Sequence, residues 1–184
     1  MKIAYRLIRS QRRTLALEIR GGELIVRAPL HASQAEIDHL LNGKQSWIEK
    51  HLRESRSREE KAKSVTPLSR QELEALADEA LRVIPGRVAF YAEKLGVHPK
   101  RITIRNQRTC WGSCSAQGGL NFNCLLMLTP PEAIDSVVVH ELCHLIEMNH
   151  SERFYREVYR IFPEYDIWHG WLKEHQTELL ARLG

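Results

Sequence analysis

The sequence lacks any long apolar run, since no stretch approaches the roughly 20 residues that a membrane-spanning helix needs. Its first residues, Met1–Arg6, lack the apolar core and small-residue cleavage site of a secretory signal. Internal repeats and low-complexity tracts are also missing, and 43% hydrophobic with 27% charged residues argues against global disorder. These absences predict a globular, cytoplasmic protein that does not contact a membrane.

Cysteine is scarce as well. The 184 residues contain four cysteines, and no second close pair accompanies Cys110 and Cys114. An all-cysteine zinc site therefore has little support, because such sites use two closely spaced pairs. We expect reduced thiols that pack as small apolar groups. The remaining two are Cys124 and Cys143.

Charge is weakly one-sided, with a formal net charge of +4 at pH 7. The basic surplus lies early in the chain, where a basic face can meet nucleic acid or nucleotide phosphates. Acidic residues such as Glu54 and Glu59 interrupt this stretch, so a solvated surface is the alternative interpretation. Nucleic acid therefore stays open as a partner. The sequence indicates no oligomeric state.

The N-terminal part of the chain predicts strands followed by a helix. Residues 1–29 contain alternating apolar positions, and Gly21–Gly22 supplies a hairpin turn. A helix should begin after Ser33, because Glu36 stands three residues further on and completes a capping box.

A boundary between two units is indicated by residues 53–64, which are polar and highly charged and almost free of apolar residues. We predict a β-rich N-terminal subdomain with a helix over residues 1–66. A second domain is predicted over residues 67–184.

The second domain should open with a helix after Ser69, where Glu72 completes another capping box. Pro85 is expected to kink or split this helix, and Gly96 is expected to end it. Strand-like segments then cover 101–105 and 120–128.

A further helix is predicted from Thr129, with Thr129 as N-cap, Pro130 at the first helical position and Glu132 completing the cap. Helices and short strands thus occur in separate runs rather than in strict alternation. This order predicts the α+β fold class.

The motif that carries chemistry is His140-Glu141-Leu142-Cys143-His144, within this predicted helix. Two histidines four residues apart lie about 40° apart around a helix and ~6 Å apart along it, so both imidazoles can reach one cation. Zinc accepts neutral imidazole, and a catalytic zinc keeps one position open for water. Glu141 is placed to accept a proton from that water as general base.

A third ligand must come from outside the motif. His150 would lie ~9 Å beyond His144 along a straight helix, so the helix has to end between them. Asn149 is the expected breaking point, because asparagine tolerates left-handed backbone angles, and Ser151 can cap the next helix. Glu147 is the rival ligand, and His150 is favoured. We therefore predict a metal site of His140, His144 and His150.

Five ordered motifs lie between residues 108 and 154, namely Arg108–Ser115, Gly119–Asn123, Val138–His144, Asn149–Ser151 and Phe154. Together they resemble the YgjP-like family of metal-dependent hydrolases, and the resemblance covers nearly the whole chain. The resemblance extends upstream to Pro67 and, more loosely, to the N-terminal strands. Cys110 departs from the basic residue usual there, and Tyr155 departs from a common tryptophan.

The resemblance implies a zincin-like catalytic domain, with a small antiparallel sheet beside the active-site helix and a β-hairpin and helix subdomain before it. By the same resemblance, His140, His144 and His150 map onto the ligands and Glu141 onto the catalytic carboxylate. The implied cofactor is Zn²⁺, with another divalent metal as the alternative.

The substrate is left open by this resemblance. Similar proteins are labelled metallopeptidases, and the related SprT and WLM groups act on proteins attached to DNA. The leading hypothesis is a peptidase, to which an edge strand at Leu120–Leu126 could bind an extended peptide. One alternative is a nucleotide pyrophosphatase that acts on UTP. The other is a nucleic-acid-binding module with a structural metal.

Further candidate groups lie near the motif in sequence. Triphosphate hydrolysis would require extra cations near the metal. Packing is the simpler role for the downstream aromatic and histidine side chains, although any of them could stabilise an oxyanion. The candidate cations are Arg105, Arg108 and Arg153, and the downstream side chains are Tyr155, Tyr159 and His169.

Overall fold

The computed structural model describes residues 4–183. It divides into two compact units, the first ending at Ser64 and the second beginning at Val65. Residues 1–3, which belong to the predicted N-terminal strand region, lie outside the described residues, as does residue 184. That each unit is an independent domain stays a prediction.

The N-terminal unit is a three-stranded sheet with two helices. The hairpin at Gly21–Gly22 joins two antiparallel strands, as predicted, and both glycines have positive φ angles of 59° and 72°. The predicted capping box of Ser33 and Glu36 is also formed. The strand order is β1-β3-β2, with β1 parallel to β3. The elements are β1 (Tyr5–Ser10), β2 (Ala16–Arg20), β3 (Glu23–Pro29), α1 (Gln34–Gly43) and α2 (Gln45–Lys63).

The C-terminal unit begins with the 26-residue helix α3 (Arg70–Leu95), capped by Ser69 and Glu72 as predicted and ended by Gly96 at a φ of 69°. Pro85 lies inside this helix, and the expectation that it splits the helix is wrong. Proline removes one hydrogen bond to the carbonyl four residues earlier. That carbonyl belongs to Leu81, a residue that is 57% exposed, so water can replace the lost donor.

A second three-stranded sheet follows, made of β4 (Arg101–Arg105), β5 (Gly112–Cys114) and β6 (Gly119–Asn123). Its order is β4-β6-β5, with β6 antiparallel to β5 and parallel to β4. The prediction of an antiparallel sheet is therefore wrong for one of the two pairings. The chain crosses from β4 to the far edge before the β5–β6 hairpin returns it to the middle, so β6 runs in the direction of β4.

The strand-like segment after residue 119 is shorter than predicted, because Cys124–Leu128 forms a 3₁₀ helix. Asn123 initiates this turn by accepting a hydrogen bond from Leu125 N. Since β6 is the middle strand, both of its edges are already paired. The expectation that Leu120–Leu126 is a free edge for a peptide is therefore wrong.

Three helices complete the unit: α4 (Pro131–Cys143), α5 (Glu152–Ile161) and α6 (Tyr165–Ala181). The N-cap of α4 is Pro130 and not Thr129, whose hydroxyl donates to the carbonyl of Leu126 and so ends the 3₁₀ turn. Helix α4 contributes a nearly continuous series of buried side chains, so it runs through the core of the unit.

The predicted α+β class is confirmed by these helices and small sheets. No helix in the described part of the chain has both the length and the apolar character that crossing a bilayer requires. The core of the C-terminal unit lies between α3, the 3₁₀ helix and α4. Its largest fully buried side chains include Phe122, Phe154, Ile84, Leu125 and Leu142.

Candidate metal centre

His140 and His144 lie at the C-terminal end of α4, where the burial pattern of the helix fixes the face they occupy. Their Nε2 atoms are 3.2 Å apart. This distance follows from the four-residue spacing, which places the two rings one above the other on the same face. His144 is itself the C-cap of the helix.

His150 joins them through the segment that follows α4. Its Nε2 atom is 3.1 Å from His140 Nε2. The chain turns at the end of α4, after Cys143, and Asn149 does not adopt a left-handed conformation, since no described non-glycine residue has positive φ. The break thus occurs earlier than predicted, at the helix end itself. Ser151 caps α5 as predicted.

Phe154 holds the three rings together from the core side. Its ring centroid lies 5.0 Å from that of His140, 4.6 Å from His144 and 4.9 Å from His150. The side chain is fully buried. One aromatic ring therefore forms the floor under all three imidazoles.

The rival ligand Glu147 has a different role in the structure. Its carboxylate accepts a hydrogen bond from Asn149 N at 3.3 Å. Its backbone carbonyl is 3.2 Å from His144 Nδ1. The carboxylate is not among the groups that converge with the three histidines. Glu147 therefore orients one of the histidines through its main chain.

Glu141 is buried beside the histidines, with 5% of its surface exposed. Burial raises the pKa of its carboxyl group to about 8. It lies against Gly112 of β5, where an added Cβ would be 2.7 Å from both Cγ and Oε1 of Glu141. Only glycine leaves room for this carboxylate. No local pattern could predict the contact, because the two residues are far apart in the chain.

His140 and His144 favour their neutral forms. Burial, reinforced by the neighbouring histidines, lowers the pKa of His140 to about 3, and burial also lowers the pKa of His144. A neutral imidazole has one nitrogen with a free lone pair, which is the form that binds a metal.

The donor set fits a zinc-sized cation. Ligand atoms of all three histidines lie within 4.8 Å of one another. Tetrahedral zinc, with Zn–N distances of roughly 2.0–2.1 Å, separates its ligand nitrogens by roughly 3.4 Å, close to the 3.1 Å and 3.2 Å found here. Unprotonated Nε2 atoms at these distances repel one another unless a proton or a cation lies between them.

The other predicted groups are not gathered around these nitrogens. Arg105 donates to the side-chain oxygen of Asn121, and Arg108 and Arg153 are exposed. Tyr159 donates its hydroxyl to Asp166 at 3.0 Å. Tyr155 stacks on Tyr159, and its ring is tilted against that of His150 at a centroid distance of 6.2 Å. All four cysteines are free thiols.

Sequence reasoning missed Tyr165, the first residue of α6. Its hydroxyl oxygen is 2.8 Å from His140 Nδ1 and 3.2 Å from His169 Nδ1. Tyr165 and His140 are 25 positions apart in the chain, and the segment between them contains no periodic signal that would connect them. The available signal was a tyrosine and a histidine four residues apart, at positions 165 and 169 of one helix.

An α+β fold with three converging imidazoles beside a buried glutamate defines the class of metal-dependent hydrolases. Within that class, the chain belongs to the YgjP-like family, because the model of its metallopeptidase domain matches residues 13–74 and 66–175. The resemblance inferred from the motifs is thereby confirmed.

One similar solved structure is the metallopeptidase zymogen abylysin from Pyrococcus abyssi. It is 23% identical, covers 51% of this chain and 96% of its own, and has a TM-score of 0.46. No curated protein matches the chain.

Proposed function

We propose that this protein is a zinc-dependent peptidase in which His140, His144 and His150 bind the metal and Glu141 is the general base. The observation that carries the proposal is the convergence of three Nε2 atoms beside a buried carboxylate. The metallopeptidase family supports the reaction class.

The chemistry divides between the metal and the protein. A bound zinc ion lowers the pKa of water and polarises a carbonyl group. Glu141 then accepts the proton of the attacking water and passes it to the leaving amine. The burial that raises the pKa of this carboxyl group also makes its ionised form a stronger base. A cation held by the three histidines would favour that ionised form at neutral pH.

The outer strand β5 supports a peptide as the substrate. Two main-chain hydrogen bonds at the ends of β5 are directed toward β6: the carbonyl of Trp111 accepts from Asn123 N, and Ser115 N donates to the carbonyl of Gly119. Because hydrogen-bonding directions alternate along a strand, the main-chain groups of Gly112 and Cys114 face the other edge. An extended peptide that pairs there would run alongside Glu141. This edge takes the place of Leu120–Leu126 in the original hypothesis.

The test of the base uses Glu141→Gln with Glu147→Gln as the matched control. Both proteins are loaded with zinc and incubated with a mixed peptide library, and products are identified by mass spectrometry. We expect Glu141→Gln to retain one zinc ion while cleavage falls by about 10²–10⁴-fold. The control should cleave normally. Equal cleavage by wild type and Glu141→Gln would refute the mechanism.

The test of the ligand set compares His150→Ala with Glu147→Ala. Zinc affinity is measured by competition with a chromophoric chelator. We expect a large loss for His150→Ala, because a three-ligand site becomes a two-ligand site. If Glu147→Ala lost the zinc and His150→Ala kept it, the assignment of the third ligand would be wrong.

A nucleotide or nucleic-acid substrate gains no support from the contacts of the described residues or from the family match. Location in the cytoplasm likewise stays a prediction.

A further inference from the structure

A hydrogen-bonded pair lies behind the histidine cluster. Tyr165 is 2% exposed, and its hydroxyl oxygen lies 2.8 Å from Nδ1 of His140 and 3.2 Å from Nδ1 of His169. Its ring stacks on both imidazoles, with centroid distances of 6.0 Å to His140 and 5.1 Å to His169. Tyr165 thus connects the two histidines.

The direction of these hydrogen bonds follows from the metal site. His140 must offer the lone pair of Nε2 to a cation, so its proton has to be on Nδ1, and Nδ1–H can only donate. The Tyr165 oxygen then accepts from His140. The tyrosine has one proton of its own, and Nδ1 of His169 is in reach to accept it. The chain of donors therefore runs from His140 through Tyr165 to His169.

We propose that Tyr165 is a positioning residue that fixes the ring and tautomer of His140 for metal binding, and that His169 acts by orienting the Tyr165 hydroxyl. The inference rests on the proposed function, because it requires that His140 bind the metal through Nε2. Hydrogen-bond partners of this kind orient metal ligands and raise their basicity.

The two helix-end histidines differ in how they are held. Nδ1 of His144 donates to the backbone carbonyl of Glu147. Because a carbonyl can only accept, this contact selects the tautomer of His144 that has its proton on Nδ1. Nδ1 of His140 instead meets a hydroxyl, which can accept or donate. A hydroxyl selects the correct tautomer only when its own proton is engaged elsewhere. This is the role that the geometry assigns to His169.

The position of Tyr165 excludes a different role for it. Its hydroxyl lies at the Nδ1 edge of His140, whereas the three Nε2 atoms converge on the opposite edge. An oxyanion would form on the Nε2 side, next to the cation. Tyr165 therefore acts on the ligand and not on the substrate.

The first experiment compares Tyr165→Phe with Tyr159→Phe. The second variant is a matched control, because its hydroxyl bonds Asp166 and reaches no histidine of the cluster. Zinc affinity is measured by chelator competition in the absence of any substrate. We expect Tyr165→Phe to bind zinc about 10–100-fold more weakly, with no change in the control. Unchanged affinity in Tyr165→Phe would overturn the proposal.

The second experiment tests whether His169 acts through the hydroxyl. His169→Phe keeps a ring stacked on Tyr165 but removes the acceptor, so the freed hydroxyl can donate to His140 and favour the wrong tautomer. We expect a loss of zinc affinity of about 3–10-fold, a fraction of the Tyr165→Phe loss. In the Tyr165→Phe background, His169→Phe should have no further effect. Additive losses would show that His169 acts by another route.

His140→Ala separates this inference from the proposed function. If His140→Ala bound zinc like the wild type, the metal site itself would be wrong. If His140→Ala lost zinc while Tyr165→Phe kept it, the site would stand and only the positioning role would fail.

Discussion

The two units of the chain contain sheets of the same design, and only one of them lies beside a candidate site. In each sheet the third strand in sequence lies in the middle, parallel to the first and antiparallel to the second. In each unit a glycine of the sheet region also lies against a charged side chain from a helix. The pairs are Gly22 with Arg56 and Gly112 with Glu141.

The two charged side chains differ in what they bond. Arg56 donates to the carbonyl of Gly22 at 3.3 Å, so its polar group is used within the fold. Glu141 accepts no hydrogen bond from the described residues, and desolvation is the cause of its raised pKa. A sheet and a helix thus make a scaffold in both units. Of the two side chains, only Glu141 is buried without a structural partner among the described residues, which is the arrangement that the proposed function requires.

The largest difference between the two units is expected when the charge of Glu141 or of Arg56 is removed and the stability of the metal-free protein is measured. The carboxyl group of Glu141 has a pKa of about 8 in the folded state and 4.5 as its reference value. Between these values the folded state holds a proton that the unfolded state has lost, so stability falls as pH rises. Glu141→Gln removes this loss.

We therefore expect the stability advantage of Glu141→Gln over wild type to grow on the order of 3–4 kcal/mol from pH 5 to pH 8. Urea unfolding with a chelator present measures it. The His140 shift is present in both proteins and cancels in the difference. Arg56→Gln should show no such growth, because this substitution leaves the buried carboxyl group of Glu141 in place. If the stability difference between Glu141→Gln and wild type did not change with pH, burial would not raise the pKa of Glu141.

Gly112→Ala tests whether the contact between Gly112 and Glu141 is needed for peptide cleavage. The new Cβ would lie 2.7 Å from two atoms of Glu141, so the carboxylate must move. We expect peptide cleavage to fall about 100-fold, since a misplacement of about 1 Å can have that effect. Zinc content should be unchanged. Gly86→Ala is the control, because its Cβ would meet nothing within 4 Å. Normal cleavage by Gly112→Ala would show that the contact with Gly112 does not position the Glu141 carboxylate for cleavage.

Asn123 tests how the strand that carries Gly112 is held. This buried amide donates to the carbonyls of Gln107 and Cys110, at 2.6 Å and 3.1 Å, and so fixes the loop before β5. Asn123→Ala leaves these groups without partners, and we expect a loss of about 2–3 kcal/mol in urea unfolding. Asn121→Ala, whose amide is half-buried, should lose less than about 1 kcal/mol. Equal losses would argue against a special role for Asn123.

The smallest effect is expected at the equivalent glycine of the N-terminal unit. Gly22→Ala introduces strain at a φ of 72° and a Cβ 3.0 Å from Cγ of Arg56. We expect the free energy of unfolding in urea to fall by about 1 kcal/mol, with no change in peptide cleavage. Gly21→Ala introduces the same strain at a φ of 59°, but its Cβ would meet no atom within 4 Å. The difference in stability between the two variants therefore measures the contact with Arg56. A loss of cleavage in Gly22→Ala would contradict the division of roles.

Local signals in the sequence predicted the elements well. The capping boxes at Ser33 and Ser69, the glycine that ends α3 and the cap at Ser151 depend on neighbours within four residues, and all are confirmed. The spacing of His140 and His144 also predicted a shared face. That these residues and His150 bind zinc stays a prediction until an ion is measured.

Non-local contacts could not be predicted in the same way. The parallel pairings of β1 with β3 and of β4 with β6 join segments that are not neighbours in the chain, and no local pattern encodes them. The same holds for Gly112 against Glu141 and for Tyr165 against His140. These contacts are made by the packing of whole elements, which is why the surroundings of the site were missed while its motif was found.

The Phe154 ring under the three imidazoles has a consequence for how this protein can change over time. Substitutions elsewhere in a core usually lower stability and leave the chemistry intact. At position 154 the volume of the side chain also sets the spacing of the three imidazoles. A smaller side chain would let the three imidazoles move closer together, and a larger one would push them apart. Selection for activity therefore restricts a residue that never touches substrate, and a thermostable variant has to be sought in substitutions that leave this ring in place.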